Sequence, residues 1–255
     1  MKMKKILFIL IVTILLISCS KEPDKPIINN KITCENNPNI NFTSIGTPIG
    51  KFGECIKDID GNTYKTVTIG TQTWMAENLK TSKYNDGSII YQIKNIEDWD
   101  PIWNTDSAAW VYYNHDESYN VKYGKLYNWY SINQSTNGYK NICPNGWHIP
   151  SDYEWNILIE TLGGISIAGG KMKELGEESW NSIDEETTNT SLFTGLAGGA
   201  AEGDMSDFGY SGYWWSSTED NKDCGWSREL NYNKNYIKRP CAEKKACLSV
   251  RCVKD

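Results

Sequence analysis

Residues 143–155, with the sequence CPNGWHIPSDYEW, contain a complete helix start directly after a cysteine. Ser151 is a suitable N-cap, and Glu154 stands three positions later, as a capping box requires. Apolar side chains then follow at the i, i+3, i+4 and i+7 positions of a helix face: Trp155, Leu158, Ile159 and Leu162. The glycine pair at 163–164 supplies a stop signal. The pattern predicts an amphipathic helix over residues 151–162 with one face on a hydrophobic core.

The N-terminal residues 1–18 have the composition of an export signal. Lysines precede an apolar run at positions 6–17, which is too short to span a bilayer. Residues 16–19 (LISC) resemble the lipobox of bacterial lipoproteins, which implies cleavage before Cys19 and acylation of its sulfur. An ordinary secretory signal or a membrane anchor is the alternative. Against an ordinary signal, Leu16 is not the small residue that such cleavage sites take at this position.

Charge limits the partners of the mature chain. Removal of the three signal lysines leaves 23 basic and 32 acidic residues, a net charge of −9. Such a surface is not expected to bind nucleic acid or anionic lipid, so membrane attachment would come from the acyl chains on Cys19. Residues 20–24 (SKEPD) resemble the acidic export tag of surface lipoproteins. We expect an outer-membrane lipid anchor facing the cell surface, and a flexible, Asn- and Pro-rich tether over residues 19–54.

Seven further cysteines suggest disulfides, because an exported chain meets an oxidising environment. We expect a bond between Cys143 and Cys252, closing a loop for which chain entropy predicts about 4–5 kcal/mol. A second is expected between Cys34 and Cys55, at the end of the tether. The pairing of three others stays open: Cys224, Cys241 and Cys247. No metal site is expected, because the chain has two histidines and no C-x-x-C motif.

Residues 55–255 are enough for one domain with a single core. Alternating residues on both sides of an Asp-Gly pair at 60–61 predict a β-hairpin. The letters D-x-D-G-N at 58–62 also match the start of a calcium loop, but the twelfth position is Ile69 instead of glutamate. A second, shorter helix is predicted over 167–175. Strands are predicted near 211–217, 225–232 and 247–253. The fold class is therefore α+β.

Eleven tryptophans and fifteen tyrosines would suit a carbohydrate-binding surface. Five tryptophans stand in ordered motifs or on the apolar helix face and are predicted to be core: Trp74, Trp129, Trp147, Trp155 and Trp215. The segment 98–110 is acidic, aromatic and loop-like, and we expect its rings to stack on a sugar while its carboxylates accept hydroxyl hydrogen bonds. The candidate ligand-binding residues are Trp99, Trp103, Asp98, Asp100 and Asp106. A loop packed over the core explains the same pattern.

Several ordered stretches resemble one known family. They are residues 58–64 (DIDGNTY), 72–79 (QTWMAENL), 123–130 (YGKLYNWY), 143–150 (CPNGWHIP), 213–219 (YWWSSTE) and 249–253 (SVRCV). Together they are similar to the Fibrobacter succinogenes major paralogous domain, abbreviated FISUMP, over about residues 55–255. This resemblance implies a single C-type lectin-like α+β domain, with two short helices and antiparallel strands, stapled by disulfides. It implies no settled activity.

Two departures from the family pattern bear on function. Residues 198–201 are GGAA, where related sequences often carry an aromatic residue and an arginine after the paired glycines. Cys241 and Cys247 are peculiar to this chain, and they loosely resemble the paired active-site cysteines of formylglycine-generating enzymes, which share the lectin-like fold. Their spacing differs from that of those enzymes, and a local disulfide between the two is the simpler interpretation.

The residues give no positive evidence for catalysis. His148 lies in a structural motif and is predicted to be a hydrogen-bonded wall residue, and neither it nor His115 has a triad partner nearby. The E-P-N or Q-P-D and W-N-D triplets of calcium-dependent lectins are absent. We therefore expect a non-catalytic, calcium-independent binding module without a cofactor, for a glycan or another surface protein. The alternatives are a structural or adhesive surface component without a small-molecule site and, third, an oxidase-like enzyme.

Overall fold

The computed structural model describes residues 47–176, 178–182 and 185–255. Cys19, Cys34 and the predicted signal at 1–18 lie outside these residues, as does most of the predicted tether. Among the helices that the structure describes, none is long and apolar enough to cross a membrane.

Short strands form most of the framework. In chain order they are β1 (Lys51–Phe52), β2 (Ile56–Lys57), β3 (Thr63–Tyr64), β4 (Thr66–Ile69), β5 (Gln72–Met75), β6 (Tyr91–Ile93), β7 (Ala109–Val111), β8 (Leu126–Asn128), β9 (Trp147–His148), β10 (Gly198–Glu202), β11 (Asp204–Phe208), β12 (Ser211–Glu219), β13 (Cys224–Asn231), β14 (Cys241–Glu243), β15 (Cys247–Leu248) and β16 (Val253–Lys254). β1 falls inside the segment predicted to be tether, because Lys51 and Phe52 pair with β4.

The strands build two sheets and a separate hairpin. The first sheet has the order β1-β4-β5-β16-β9. The second has the order β14-β13-β12-β10-β15-β8-β7-β6, with β11 paired to β10. Most pairs are antiparallel, whereas β6–β7 and β10–β12 are parallel. β2 and β3 form the predicted hairpin, in which the Asp58 carboxylate accepts hydrogen bonds from Asn62 and from the Tyr64 hydroxyl.

The helices are short. They are α1 (Trp99–Asn104), α2 (Asn120–Tyr123), α3 (Trp129–Ile132), α4 (Asp152–Thr161) and α5 (Ala168–Met172), with 3-10 turns at Ile96–Asp98, Tyr113–His115 and Glu117–Tyr119. The mixed α+β class is confirmed, but α1, α2 and α3 add to the two helices expected. The helix predicted over 167–175 ends earlier, because Lys173 is extended and bridges Gly195.

α4 begins as predicted. The Ser151 hydroxyl accepts from the Glu154 amide, and the Glu154 carboxylate accepts from the Ser151 amide, so both halves of the capping box form. At the other end Gly163 has a φ of +100°, a conformation that favours glycine, and the Gly164 amide donates to the Ile159 carbonyl.

The tryptophans predicted to be core are all buried. Trp155 and Trp215 are joined directly, because the Trp155 indole N–H donates to the Trp215 carbonyl at 3.2 Å. The Trp215 indole in turn donates to the Tyr127 carbonyl at 2.7 Å. Burial with a satisfied indole N–H is the arrangement that makes a tryptophan a structural residue.

Asn78 connects four of the stretches that carry the family resemblance. Its amide nitrogen donates to the Tyr123 carbonyl at 2.8 Å and to the Ser249 hydroxyl at 3.2 Å. Its amide oxygen accepts from the Trp214 indole at 2.9 Å and from the Arg251 guanidinium at 2.8 Å. The motifs therefore meet around one buried amide and specify the core.

Two disulfides lie wholly within the described residues. Cys143 bonds to Cys252, as predicted. Cys224 bonds to Cys241, and Cys247 is free and buried. The predicted local bridge between Cys241 and Cys247 is wrong: Cys224 and Cys241 lie on the adjacent strands β13 and β14, whereas Cys247 lies on β15 and pairs with β10 and β8. A further disulfide includes Cys55, but Cys34 lies outside the described residues.

Candidate functional site

The predicted ligand-binding segment contains α1 and the start of β7, and it divides between the core and the surface. Trp99 is 2% exposed and belongs to a core cluster with Ile93, Ile102 and Leu126. A ring without an accessible face cannot stack on a sugar, so the proposed role of Trp99 is corrected to core packing. Trp103, one turn later, is half-buried, with its ring centroid 6.4 Å from that of Trp99.

The other predicted residues do not converge on a common ligand. The Asp98 carboxylate accepts from the Lys94 amide at 2.8 Å, whereas Asp106 faces the Tyr130 hydroxyl. Asp100 is exposed on the outer surface of α1. Trp103 packs beside Gly203, and its carbonyl accepts from the Lys245 ammonium.

A cleft of about 500 Å³ opens beside β6, the strand at one end of the second sheet. We call it the β6 cleft. Its lining consists of Ser82, Ile89, Ile90, Tyr91, Gln92, Lys94, Trp110, Tyr112 and Lys125. Exposed Ile89 and Tyr91 form its rim, and the buried side chains of Trp110, Tyr112 and Lys125 form its floor. The volume and the mixture of apolar walls with a few polar groups are those of small-ligand sites.

The floor is built by the register of neighbouring strands. Trp110 on β7 stands beside Gln92 on β6 and Tyr127 on β8. Its indole N–H donates to the Ile90 carbonyl at 3.1 Å, which fixes the ring against the segment that forms the rim. The ring is thereby held as a rigid base for the cleft.

Lys125, the residue directly before β8, contributes its side chain to the floor. Gly124 precedes it at a φ of +74°, and a Cβ there would lie 2.7 Å from the Leu79 carbonyl oxygen, so the position requires glycine. The Lys125 ammonium donates to the Lys80 carbonyl and stands 4.5 Å from the centroid of the Trp110 ring and 5.6 Å from that of Tyr112. Burial lowers the pKa of Lys125.

The rim joins the cleft to one predicted site residue. Tyr91 is 47% exposed, and its hydroxyl faces the Asp98 carboxylate. Partial burial and this carboxylate raise the pKa of Tyr91. Asp98 is thus a neighbour of the cleft, supporting its rim, rather than part of the lining.

Sequence reasoning missed most of the cleft. Ile89 and Tyr91 stand in a short stretch without a distinctive pattern, and Trp110 ends the segment 98–110 without being one of its candidate binding residues. Lys125 lies inside the YGKLYNWY motif, which indicates the family and the fold rather than a binding site. The signal in the sequence is a lysine between a glycine and an apolar strand. Lysine is rarely buried without a partner, so its place in an otherwise apolar motif indicates a specific role.

The other chemical candidates have structural roles. Both nitrogens of His148 are engaged, Nδ1 at 2.6 Å from the Asp255 carboxylate and Nε2 at 2.8 Å from the Glu154 carboxylate. This confirms the predicted hydrogen-bonded wall residue. Cys241 is held in its disulfide and Cys247 is buried on a neighbouring strand, so the two sulfurs do not form a dithiol pair.

Comparison with known proteins gives one match. The family model described as the Fibrobacter succinogenes major domain matches residues 67–254. No curated protein and no solved structure matches the chain.

Proposed function

We propose that the chain, which belongs to the Fibrobacter succinogenes major domain family, is a non-catalytic binding module that recognises a glycan through the β6 cleft. The observation that carries this proposal is the cleft itself, a concave site with apolar walls, an exposed tyrosine at the rim, and the polar side chains of Gln92, Lys94 and Lys125 in its lining. Sugars offer apolar C–H faces and hydroxyl oxygens to such a surface.

The lining also supports recognition without calcium. Among the residues that line the described cleft there is no carboxylate, and calcium takes six to eight oxygen ligands in proteins. The nearby Asp60 carboxylate already forms an ion pair with the Lys83 ammonium at 2.9 Å and accepts a hydrogen bond from the Ser82 amide. We expect glycan retention to survive chelation.

The cellular setting belongs to the same proposal. Acylation of Cys19 would anchor the protein in the outer membrane, and the acidic tag after it favours display at the cell surface. The first sheet, in which β16 near the end of the sequence lies beside β5 and three strands from β1, supports a C-type lectin-like arrangement of the domain. Another surface protein is the second class of partner, and a purely adhesive component without a small-molecule site is the competing role.

The decisive experiment is retention of the unlipidated domain on a panel of soluble and insoluble polysaccharides, with calcium and again with EDTA. Tyr91→Ala should weaken retention about tenfold, as expected for loss of an aromatic contact worth ~1.5 kcal/mol. Stability should change by less than about 0.5 kcal/mol, because the residue lies on the surface. Tyr153→Ala is the matched control, since Tyr153 is 73% exposed on α4, outside the cleft.

Three outcomes would contradict the proposal. Loss of binding in EDTA would show that glycan recognition depends on calcium. Equal retention by the Tyr91 and Tyr153 variants would place the glycan elsewhere. Retention on no polysaccharide would favour the adhesive or protein-binding role.

A further inference from the structure

The ammonium group of Lys125 is buried without a counter-ion. The residue is 6% exposed, and its one hydrogen bond in the described structure goes to the Lys80 carbonyl. No carboxylate of the described residues lies within ion-pair distance of it. Two of its three N–H donors are therefore left for the aromatic floor and the cleft.

Other buried cations of this protein are better satisfied. Lys173, which is fully buried, donates to the carbonyls of Asn231, Tyr232 and Lys234 at 3.0 to 3.4 Å. Arg228, also fully buried, pairs with Asp152 at 2.8 Å. A buried cation is costly unless it is paired or fully hydrogen-bonded, and of these three described cations Lys125 is the one that lines the β6 cleft.

The carboxylates near Lys125 form hydrogen bonds or ion pairs with other groups. Asp60 bonds to Lys83 and Ser82, and hydrogen bonds from these residues lower its pKa although partial burial opposes the shift. Asp58 accepts from Asn62 and Tyr64. Glu117 lies 3.5 Å from the Tyr112 hydroxyl. These charges favour the ammonium form of Lys125 without neutralising it through contact.

Two further donors line the same cleft. Gln92 and Lys94 belong to the lining of the cavity, and their side chains make no hydrogen bond to the rest of the described structure. Together with Lys125 they offer an amide and two ammonium groups to one occupant. Such a set suits a ligand group with several acceptor oxygens and negative charge.

We propose that the β6 cleft selects an anionic glycan, whose carboxylate or sulfate accepts hydrogen bonds from Lys125 at the floor while its sugar ring contacts Tyr91 at the rim. This inference rests on the proposed glycan-binding function and specifies its ligand class. Lys94 at the rim and Gln92 at the wall supply the remaining donors. A neutral sugar would leave the Lys125 charge uncompensated, which is the physical basis of selection.

Oligosaccharides that differ only in charge test this inference. Calorimetric titration would compare galacturonate oligosaccharides with their methyl esters, and sulfated with unsulfated dextran oligosaccharides. Short ligands in about 0.15 M salt limit long-range repulsion by the acidic chain, because the Debye length is then about 8 Å. We expect at least about tenfold tighter binding of an anionic ligand than of its neutral counterpart, since hydrogen bonds to charged groups are the stronger kind. The galacturonate and sulfate arms identify which anion is recognised.

Lys125→Met keeps the aliphatic stem and removes the charge, so it should abolish the preference for the anionic ligand. The melting temperature should stay the same or rise, because an unpaired buried charge is lost. Lys122→Met is the control: Lys122 pairs with Glu174 and Glu178 at the surface and does not line the cleft. It should bind like the unaltered domain.

The inference fails alone if neutral and anionic ligands bind equally, or if folded Lys125→Met retains the preference. If no glycan of either kind binds, the proposed function and the inference both fail. The two failures are therefore distinguishable in one set of titrations.

Discussion

Burial separates Trp99 from Trp103 although only one helical turn lies between them. Truncation of the buried Trp99 to alanine should lower the free energy of unfolding by about 3–5 kcal/mol, because a large core cavity results. Trp103→Ala, at a half-buried position, should cost roughly 1–2 kcal/mol. Urea denaturation of both variants checks the ranking. Equal and small losses would mean that the Trp99 ring is not part of the core.

Position in an ordered motif or on an apolar helix face predicted which tryptophans are buried, but Trp99 lies outside such motifs and is buried as well. The acidic neighbours Asp98 and Asp100 suggested a loop. Trp99, Ile102 and Trp103 do follow the i, i+3, i+4 spacing of a helix, but α1 has only six residues. A pattern this short fits helix and loop equally well, and tertiary packing decides between them.

At the scale of elements, His148 clamps the start of α4 to the residue after β16. Burial alone would lower the pKa of His148, but hydrogen bonds to Asp255 and Glu154 raise it above its ordinary value. The protonated ring therefore stabilises the fold fully below about pH 6.5, and this contribution is lost as pH rises through the raised pKa. The side chain is 35% exposed, so the effect should be less than about 1 kcal/mol.

The stability advantage of the unaltered protein over His148→Gln should accordingly shrink as pH rises from about 6 to about 9. Urea midpoints across this range provide the measurement. Asp255→Asn keeps the histidine but removes one carboxylate, and it should show a weaker pH dependence. An advantage that grows with pH would have the wrong sign for this clamp.

Element boundaries were predictable where local chemistry sets them. The capping box placed α4 within a residue at each end, and the Asp-Gly turn located the β2–β3 hairpin. The strand expected over 247–253 instead divides into β15 and β16, which belong to different sheets. Ser249, between them, exchanges backbone hydrogen bonds with Tyr213 and Trp215 of β12. Long-range pairing of this kind leaves no local pattern in the sequence.

At the scale of the whole molecule, the two disulfides described should differ in their contribution to stability. Cys143 and Cys252 are 109 residues apart, whereas Cys224 and Cys241 are 17 apart. Chain entropy predicts a loss of about 4–5 kcal/mol for the double serine variant of the first pair and about 3 kcal/mol for that of the second. Guanidinium unfolding of the two variants gives the ranking. The reverse order would show that local strain or denatured-state structure outweighs loop size.

The fold class and the family were predictable from ordered motifs, but the cleft was not. Its walls come from residues 82–94, 110–112 and 125, which the order β6-β7-β8 brings together. Because β6 and β7 pair in parallel, no hairpin turn in the sequence indicates that these two strands are neighbours. A cavity is a property of the assembled sheet, and no single stretch of the chain carries its signature.

β1 and β16 lie in the same sheet, separated by three strand spacings, or roughly 14 Å. A segment joined ahead of β1 and another joined after Asp255 would therefore pull on one sheet. Tension between them would act first on the backbone hydrogen bonds that join β1, β4, β5 and β16, whereas the β6 cleft lies on strands of the second sheet.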